Sequence, residues 1–221
     1  MNKKTFRRVS YSQSGEDLIV ERIFRLRGIN KPSYLDIGAF HPYKLNNTAI
    51  LYEKGSRGIN IEPNPDNYIL FKKYRKKDIN LNIGISDKNS KLLYYIFNIP
   101  TLNTFSEEEA IENEKQGYKI IAKTSVKTKT INEVVKQFMN NIFPEFLSID
   151  TEGFDQTILE TIDFDKYRPK VICIESRQFS TDGNGSENDY MSRILNKNSY
   201  MKFADTYLNS IYVLESFWRK K

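Results

Sequence analysis

The chain has 221 residues, of which 39% are hydrophobic, and a formal net charge of +6. This length and composition predict one folded domain and exclude a chain that is disordered throughout. The single cysteine, Cys173, and the single histidine, His41, exclude a disulfide framework and any zinc site built from several such residues.

Short β-branched runs alternate with amphipathic stretches in the first part of the chain, which predicts an α/β fold with a mostly parallel sheet. Apolar residues at helical spacing follow Ser14, so residues 1–33 are predicted to form a helical lead-in. We expect strands at 34–38, 58–62 and 79–85, and helices between them at 47–54 and 66–74.

Residues 88–130 interrupt this alternation and are predicted to form an inserted segment. It contains an extra strand at 92–97, a loop and acidic helix over 103–116, and an extended stretch at 125–131. Thr130 is followed three residues later by Glu133, a capping-box spacing that predicts the start of a helix over 131–139.

The alternation then resumes, and the predicted elements are a strand at 146–150, a helix at 155–162, a strand at 170–175, a helix at 190–195 and a strand at 210–214. We expect the last strand to be antiparallel and at the edge of the sheet. Residues 176–189 contain little apolar mass and are predicted to form a mobile loop. The pattern therefore predicts one α/β domain over residues 34–221 with a mostly parallel sheet.

Four of the predicted strands have an acidic residue at or near their carboxyl end: Asp36, Glu62, Asp150 and Glu175. Ligands of open α/β sheets bind at the carboxyl ends of the strands, so we expect these side chains to converge on one site. Each also has a simpler explanation, because carboxylates are favoured near helix N-termini.

Glu62 has the most specific expected role, since an acid at the end of the second strand can accept hydrogen bonds from ribose hydroxyls. A dinucleotide would need a G-x-G-x-x-G turn to bring a helix N-terminus against pyrophosphate. The turn here reads GAFHP over 38–42, with one glycine and two bulky residues. A ligand with a ribose and no phosphate fits better, and S-adenosylmethionine is such a ligand.

The sequence also resembles the FkbM-type family of S-adenosylmethionine-dependent methyltransferases, which belong to the class I, Rossmann-like group. The resemblance implies a Rossmann-like, doubly wound fold with an antiparallel edge strand. The matching blocks are SQSGED at 12–17, YLDIGAFHP at 34–42, RGINIEPNP at 57–65, DINLN at 78–82, LNTFS at 102–106, FLSIDTEG at 146–153, RPKVICIE at 168–175 and NSIYV at 209–213. The resemblance implies O-methylation of a sugar or related hydroxyl-bearing metabolite, in surface polysaccharide or natural-product biosynthesis.

The resemblance also implies cofactor-binding roles for individual residues. Asp36 and Gly38 would form the first cofactor motif, with Asp36 near the methionine part, and Glu62 would bind the ribose. The remaining assignments are Pro63 or Ile85 over an adenine face, Ser86 or Asp87 hydrogen-bonded to adenine, and Gln13 and Asn47–Thr48 at the methionine carboxylate. The structural alternatives are that Ser86 only starts a turn and that Gln13 only caps a helix.

Asp150 and Glu152 are expected beside the cofactor and the transferred methyl group. An alcohol has a pKa far above neutrality, so its attack benefits from a base or a Lewis acid. Asp150 with Glu175 resembles the acidic pair of metal-dependent, catechol-type methyltransferases, and oxygen ligands would suit Mg²⁺. Ser176 stands where an amide ligand is expected, so we favour a metal-free route assisted by Asp150, Glu152 or His41.

The positive charge indicates an anionic partner or only a lysine-rich surface. One candidate partner is a small-molecule or glycan acceptor, either unmodified or with a phosphate or lipid attached. Another is a membrane surface that the protein contacts peripherally. No basic-aromatic motif predicts nucleic-acid binding. We expect no membrane span and no export signal, and hence a cytoplasmic protein. Two alternatives stay open, a binding or scaffold protein with a degenerate cofactor site and an RNA methyltransferase.

Overall fold

The computed structural model describes residues 7–177 and 189–219 of the chain. Its strands are β1 Tyr34–Ile37, β2 Gly58–Ile61, β3 Ile79–Leu81, β4 Gly84–Ile85, β5 Ser90–Phe97, β6 Ile120–Lys129, β7 Phe146–Ile149, β8 Val171–Glu175, β9 Tyr200–Asp205 and β10 Asn209–Leu214. Its helices are α1 Glu16–Leu26, α2 Ala49–Glu53, α3 Pro65–Tyr74, α4 Glu107–Lys115, α5 Ile131–Phe138, α6 Asp155–Glu160, α7 Asp189–Lys197 and α8 Glu215–Trp218, with a 3-10 turn at Pro100–Leu102.

Seven of the described strands form the main sheet, in the order β3-β2-β1-β7-β8-β10-β9. The first five are parallel, and β10 is antiparallel to both β8 and β9. The strand order reverses between β1 and β7, and such a switch point is where open α/β sheets bind ligands. This topology confirms the predicted Rossmann-like, doubly wound class with an antiparallel edge.

Helices cover both faces of the main sheet. Val134 of α5 and Ile158 of α6 are buried in the core on one face, and Val20 of α1 and Leu51 of α2 are buried in the core on the other. Because both faces are covered, β7 and β8 are buried along almost their whole length. This explains why their sequences read as continuous apolar runs rather than as alternating patterns.

The third predicted strand, at 79–85, is wrong as a single element. Residues Ile79–Leu81 pair with β2, whereas Gly84 and Ile85 pair with β6 in a second sheet. Between them, the Asn82 side-chain nitrogen donates to the carbonyl oxygens of Glu62 (2.8 Å) and Pro63 (2.9 Å). These bonds turn the chain away from the main sheet after β3.

The antiparallel edge holds one strand more than we expected. β10 corresponds to the predicted last strand, but β9 lies outside it and was not predicted; nor was α8. The residues of β9 after Tyr200 are half-buried or exposed, and they include Lys202 and Asp205. Such a mixed pattern is weak evidence for a strand, and pairing with β10 stabilises it.

The second sheet has the order β4-β6-β5, and α4 connects β5 to β6. The predicted helix start at Thr130 is confirmed, because its side chain accepts a hydrogen bond from the Glu133 backbone nitrogen at 3.2 Å. The division into a lead-in over 1–33, a domain over 34–221 and an insertion over 88–130 stays a prediction. Most of the loop predicted at 176–189 lies outside the described residues.

Candidate functional site

A cleft that is open to solvent lies at the carboxyl ends of β1, β2 and β7. Open α/β sheets bind their ligands at this edge. Seven of the predicted site residues line it: Gln13, Gly38, Glu62, Pro63, Ile85, Asp150 and Glu152. Tyr94, Asn103 and Phe105 line it from the segment around the second sheet, and sequence reasoning assigned them no role.

Gly38 permits the close approach of two strand ends at the floor of the cleft. Its φ of 76° lies in the left-handed region, and a Cβ at this position would lie 1.6 Å from the Asp150 carbonyl oxygen. The backbone nitrogens of Gly38 and Ala39 both donate to the Ile61 carbonyl oxygen, at 3.1 and 3.0 Å. Only glycine fits here, because any side chain would collide with the β7 end.

Glu62 lies at the end of β2 with its carboxylate fixed by two backbone groups. The Phe40 nitrogen donates to Oε2 and the Asn64 nitrogen to Oε1, both at 2.8 Å. Burial raises the pKa of Glu62, the two backbone bonds lower it, and Asp36 raises it, to about 8. Each oxygen keeps further acceptor capacity, so the carboxylate can accept hydrogen bonds from a pair of hydroxyls.

Asp36 is buried behind the cleft and does not line it. Its Oδ2 accepts hydrogen bonds from Asn46 Nδ2 (3.0 Å) and Thr48 Oγ1 (2.8 Å). Burial raises the pKa of Asp36, and the Thr48 bond and the Arg75 charge oppose that shift. Thr48 therefore contacts Asp36 and does not line the cleft. The structure does not place it where a contact with the methionine carboxylate was predicted.

Arg75 organises the network behind Asp36, and sequence reasoning missed it. The side chain is fully buried and donates to Asp78 Oδ2 (2.9 Å), Tyr34 Oη (2.8 Å) and Thr48 Oγ1 (3.1 Å). A guanidinium only donates, so Thr48 must accept this bond and its single proton is available to Asp36. The sequence around Arg75 at the end of α3 is polar and does not predict that this side chain is buried, because its partners come from distant parts of the chain.

Three carboxylates come together at the ends of β7 and β8: Asp150, Glu152 and Glu175. One oxygen of each lies within 4.8 Å of one oxygen of the other two. Burial raises the pKa of all three, and repulsion from neighbouring carboxylates, including Asp155, raises it further. Within the described ranges, no hydrogen-bond donor contacts these three carboxylates.

Such a cluster has two chemical uses. Carboxylates this close do not all ionise unless something compensates their charge, so they share a proton or bind a cation. With a proton they supply a general base with a raised pKa, and with a divalent ion they supply oxygen ligands. Ser176 does not add a ligand, because its Oγ is buried and lies 2.8 Å from Ser210 Oγ.

A second, open groove adjoins the cleft, and Glu152 lines both. Its acidic lining residues are Glu109, Glu112, Glu152, Asp155, Glu175 and Asp189, and its basic lining residues are Arg177 and Arg193. The groove is therefore rich in carboxylates although the whole chain carries a net charge of +6.

His41 and Ser86, two other predicted site residues, lie away from the cleft lining. His41 Nδ1 accepts a hydrogen bond from the Tyr43 nitrogen (3.1 Å), and burial and Lys44 lower its pKa. Ser86 is fully buried, and its hydroxyl donates to the Lys88 carbonyl oxygen (3.0 Å). Both side chains take part in turns, so their predicted catalytic and adenine-binding roles have no geometric support.

Each helix in the described ranges is too short or too polar to cross a lipid bilayer. A family model for the methyltransferase FkbM domain matches residues 36–202. No curated protein matches the sequence.

Several solved structures are similar to this chain. A precorrin-6y C5,15-methyltransferase from Geobacter metallireducens has 11% identity and a TM-score of 0.45, over 96% of this chain and 94% of that chain. A 1,6-didemethyltoxoflavin-N1-methyltransferase from Burkholderia thailandensis, with bound 1,6-didemethyltoxoflavin and S-adenosylhomocysteine, has 10% identity and a TM-score of 0.44, over 91% and 77%. A 16S rRNA methyltransferase from T. thermophilus, in complex with AdoMet and guanosine, has 10% identity and a TM-score of 0.41, over 96% and 44%.

Proposed function

Because the chain belongs to the FkbM methyltransferase family, we propose that it transfers the methyl group of S-adenosylmethionine to a hydroxyl oxygen of a sugar or similar small molecule. The observation that carries this proposal is the position of Glu152, which lines both the cleft and the acidic groove. A carboxylate at that junction lies between a cofactor in the cleft and an acceptor in the groove.

The residues of the cleft fit S-adenosylmethionine. Glu62 is held by two backbone nitrogens and faces the cleft, as a ribose-binding acid requires. Phe40, Pro63 and Ile85 also line the cleft and give it an apolar wall suited to an adenine ring. Bound there, S-adenosylmethionine supplies an electrophilic methyl group on a sulfonium.

The chain's own residues orient the reactants and move the proton. We assign to Glu152, assisted by Asp150, the acceptance of the hydroxyl proton as the oxygen attacks the methyl carbon. Burial and neighbouring carboxylates raise the pKa of both groups, so each ionised carboxylate is a stronger proton acceptor than an exposed one. Orientation in the adjoining cavities supplies the remaining acceleration, since the two reactants are held side by side.

The acidic lining of the groove favours an acceptor without negative charge. The six lining carboxylates outnumber the two lining arginines; they accept hydrogen bonds from hydroxyl or amino groups, and those that are ionised disfavour a phosphate. We therefore infer a neutral or amino-bearing, polyhydroxylated acceptor in place of the phosphorylated one considered from the net charge. The cytoplasmic location, a polysaccharide or natural-product pathway and peripheral membrane contact stay predictions.

A second candidate mechanism uses a divalent ion held by Asp150, Glu152 and Glu175. The proximity of their oxygens supports it, and Glu152 would take the place of the expected amide ligand. Treatment with EDTA separates the two mechanisms. The proton-transfer version predicts unchanged turnover, whereas loss of turnover restored by added Mg²⁺, with cofactor binding intact, would favour the metal.

Calorimetric titration with S-adenosylmethionine and S-adenosylhomocysteine tests the proposed function first. We expect one binding site for each, followed by methyl transfer to neutral or amino sugars and not to sugar phosphates. Release of S-adenosylhomocysteine is the readout. Binding of neither ligand would indicate the alternative of a binding or scaffold protein with a degenerate cofactor site. Methylation of RNA alone would indicate an RNA methyltransferase.

A further inference from the structure

Asn103 carries an unused hydrogen-bond donor beside the cleft. The residue is 7% exposed and lines the cleft together with Tyr94 and Glu62. Its side-chain nitrogen Nδ2 has no hydrogen-bond partner in residues 7–177 or 189–219. A buried donor without a partner costs free energy, so one that borders a cavity points to an acceptor atom on a ligand.

The orientation of this amide is determined by its oxygen. Asn103 Oδ1 accepts a hydrogen bond from the Phe97 backbone nitrogen at 2.8 Å. That nitrogen can only donate, so a flipped amide would bring two donors against each other. The donor group Nδ2 is therefore the one that remains for a ligand.

The backbone next to Asn103 is held against the site. Thr104 and Tyr95 exchange two backbone hydrogen bonds, at 2.9 and 3.2 Å. Thr104 Oγ1 also donates to the Glu152 carbonyl oxygen at 2.6 Å. The donor is thus fixed relative to both the inserted strand and the Glu152 backbone, and such preorganisation reduces the entropy cost of binding.

The surroundings of Asn103 indicate the cofactor rather than the acceptor as its ligand. Asn103 lines the cleft and not the acidic groove. Burial and the Glu62 charge raise the pKa of its neighbour Tyr94. The Asn103 amide opposes that shift, although its geometry toward Tyr94 is not that of a hydrogen bond. The amide and the ribose-binding acid therefore border the same part of the cleft.

We propose that Asn103 Nδ2 donates a hydrogen bond to an oxygen or ring nitrogen in the nucleoside part of bound S-adenosylmethionine. This inference rests on the proposed function. It gives the inserted segment a direct part in cofactor binding, in addition to the acids at the strand ends.

The test is Asn103→Asp, which is nearly isosteric and keeps an oxygen for the Phe97 nitrogen but removes the donor. S-adenosylhomocysteine and 5′-methylthioadenosine, which lacks the amino-acid part, are titrated calorimetrically. We expect the affinity for both to fall about tenfold, the size of one hydrogen bond. The control is Asn98→Asp, an exposed position whose Oδ1 also accepts from a backbone nitrogen, that of Lys119 (2.9 Å), and we expect it to bind like the parent.

Unchanged affinity for S-adenosylhomocysteine in Asn103→Asp would overturn the inference. A loss seen with S-adenosylhomocysteine but not with 5′-methylthioadenosine would overturn it too, because the contact would then lie on the amino-acid part. Circular dichroism verifies folding, and Asn103→Ala replaces the first variant if that one does not fold. Absence of binding by the parent would contradict the proposed function itself.

Discussion

The carboxylates at the two ends of the site differ in burial and in hydrogen bonding. On the cofactor side, Asp36 and Glu62 each accept two hydrogen bonds from fixed donors. On the acceptor side, Glu152 and Glu175 lie near each other and near Asp150 of the cleft wall, and no donor among the described residues contacts their carboxylates. Groups held by fixed donors form a rigid binding surface, whereas carboxylates that lie beside one another have raised pKa values and can exchange protons.

This difference assigns binding to one end and chemistry to the other. Arg75 and the backbone nitrogens hold the cofactor-side acids before any ligand arrives, so little reorganisation accompanies binding. The acceptor-side acids lie near one another at a cost in folding free energy. Such a cost is typical of catalytic groups, whose arrangement serves the reaction rather than stability.

The largest expected effect comes from the acceptor side. Glu152→Gln keeps the shape of the side chain and removes the base, so kcat should fall by about 10²–10⁴, the usual contribution of proton transfer. The affinity for S-adenosylhomocysteine should stay within about threefold of the parent, because the substitution changes the free energy of binding by less than one hydrogen bond contributes. Single-turnover kinetics and calorimetry measure the two quantities. Glu114→Gln, an exposed acid that lines neither the cleft nor the groove, is the control and should keep full activity.

If Glu152→Gln lost cofactor binding as much as turnover, the division of labour between the two ends would be wrong. Full turnover in this variant would remove Glu152 from the proton transfer.

The next effect concerns the cofactor side. Glu62→Ala should weaken S-adenosylhomocysteine binding by about 1.5–3 kcal/mol, because a charged hydrogen-bond acceptor is lost. Calorimetry against the parent measures this, with the exposed Glu108→Ala as control. Because burial raises the pKa of Glu62 to about 8, ligand binding to its ionised form should release protons at pH 7. Equal affinity in parent and variant would show that the ribose lies elsewhere.

The smallest effect is one of stability. Burial and neighbouring carboxylates raise the pKa of Asp150, so the folded state binds more protons than the unfolded state. The resulting stability is present at low pH and is lost as pH rises through the folded pKa. Asp150→Asn should therefore raise the free energy of unfolding by about 1–3 kcal/mol at pH 8 and by less at pH 5.5.

Urea unfolding at the two pH values measures this difference, and the exposed Asp87→Asn should show none. An Asp150→Asn protein that is less stable than its parent at pH 8 would mean that other groups stabilise the charge of the Asp150 carboxylate in the folded state.

Local patterns in the sequence determined most of the main sheet and the identity of the strand-end acids. The period of apolar residues sets helix or strand, and a carboxylate that follows a buried parallel strand must lie at the ligand-binding edge. Glu62 and Asp150 could be found in this way because each depends only on its own strand. The same reasoning failed at 79–85, where the Asn82 side chain ends the pairing through carbonyl groups about 20 residues away in the sequence.

Only the tertiary structure decided which groups meet. The Arg75 network joins Tyr34, Thr48 and Asp78, and the segment around the second sheet brings Tyr94 and Asn103 to a cleft at the ends of β1 and β2. It also placed Thr48 and Ser86 behind the surface on which we expected them. Contacts of this kind depend on strand order and on the packing of segments far apart in the chain. Local periodicity carries no information about either, because it reports only which face of an element is buried.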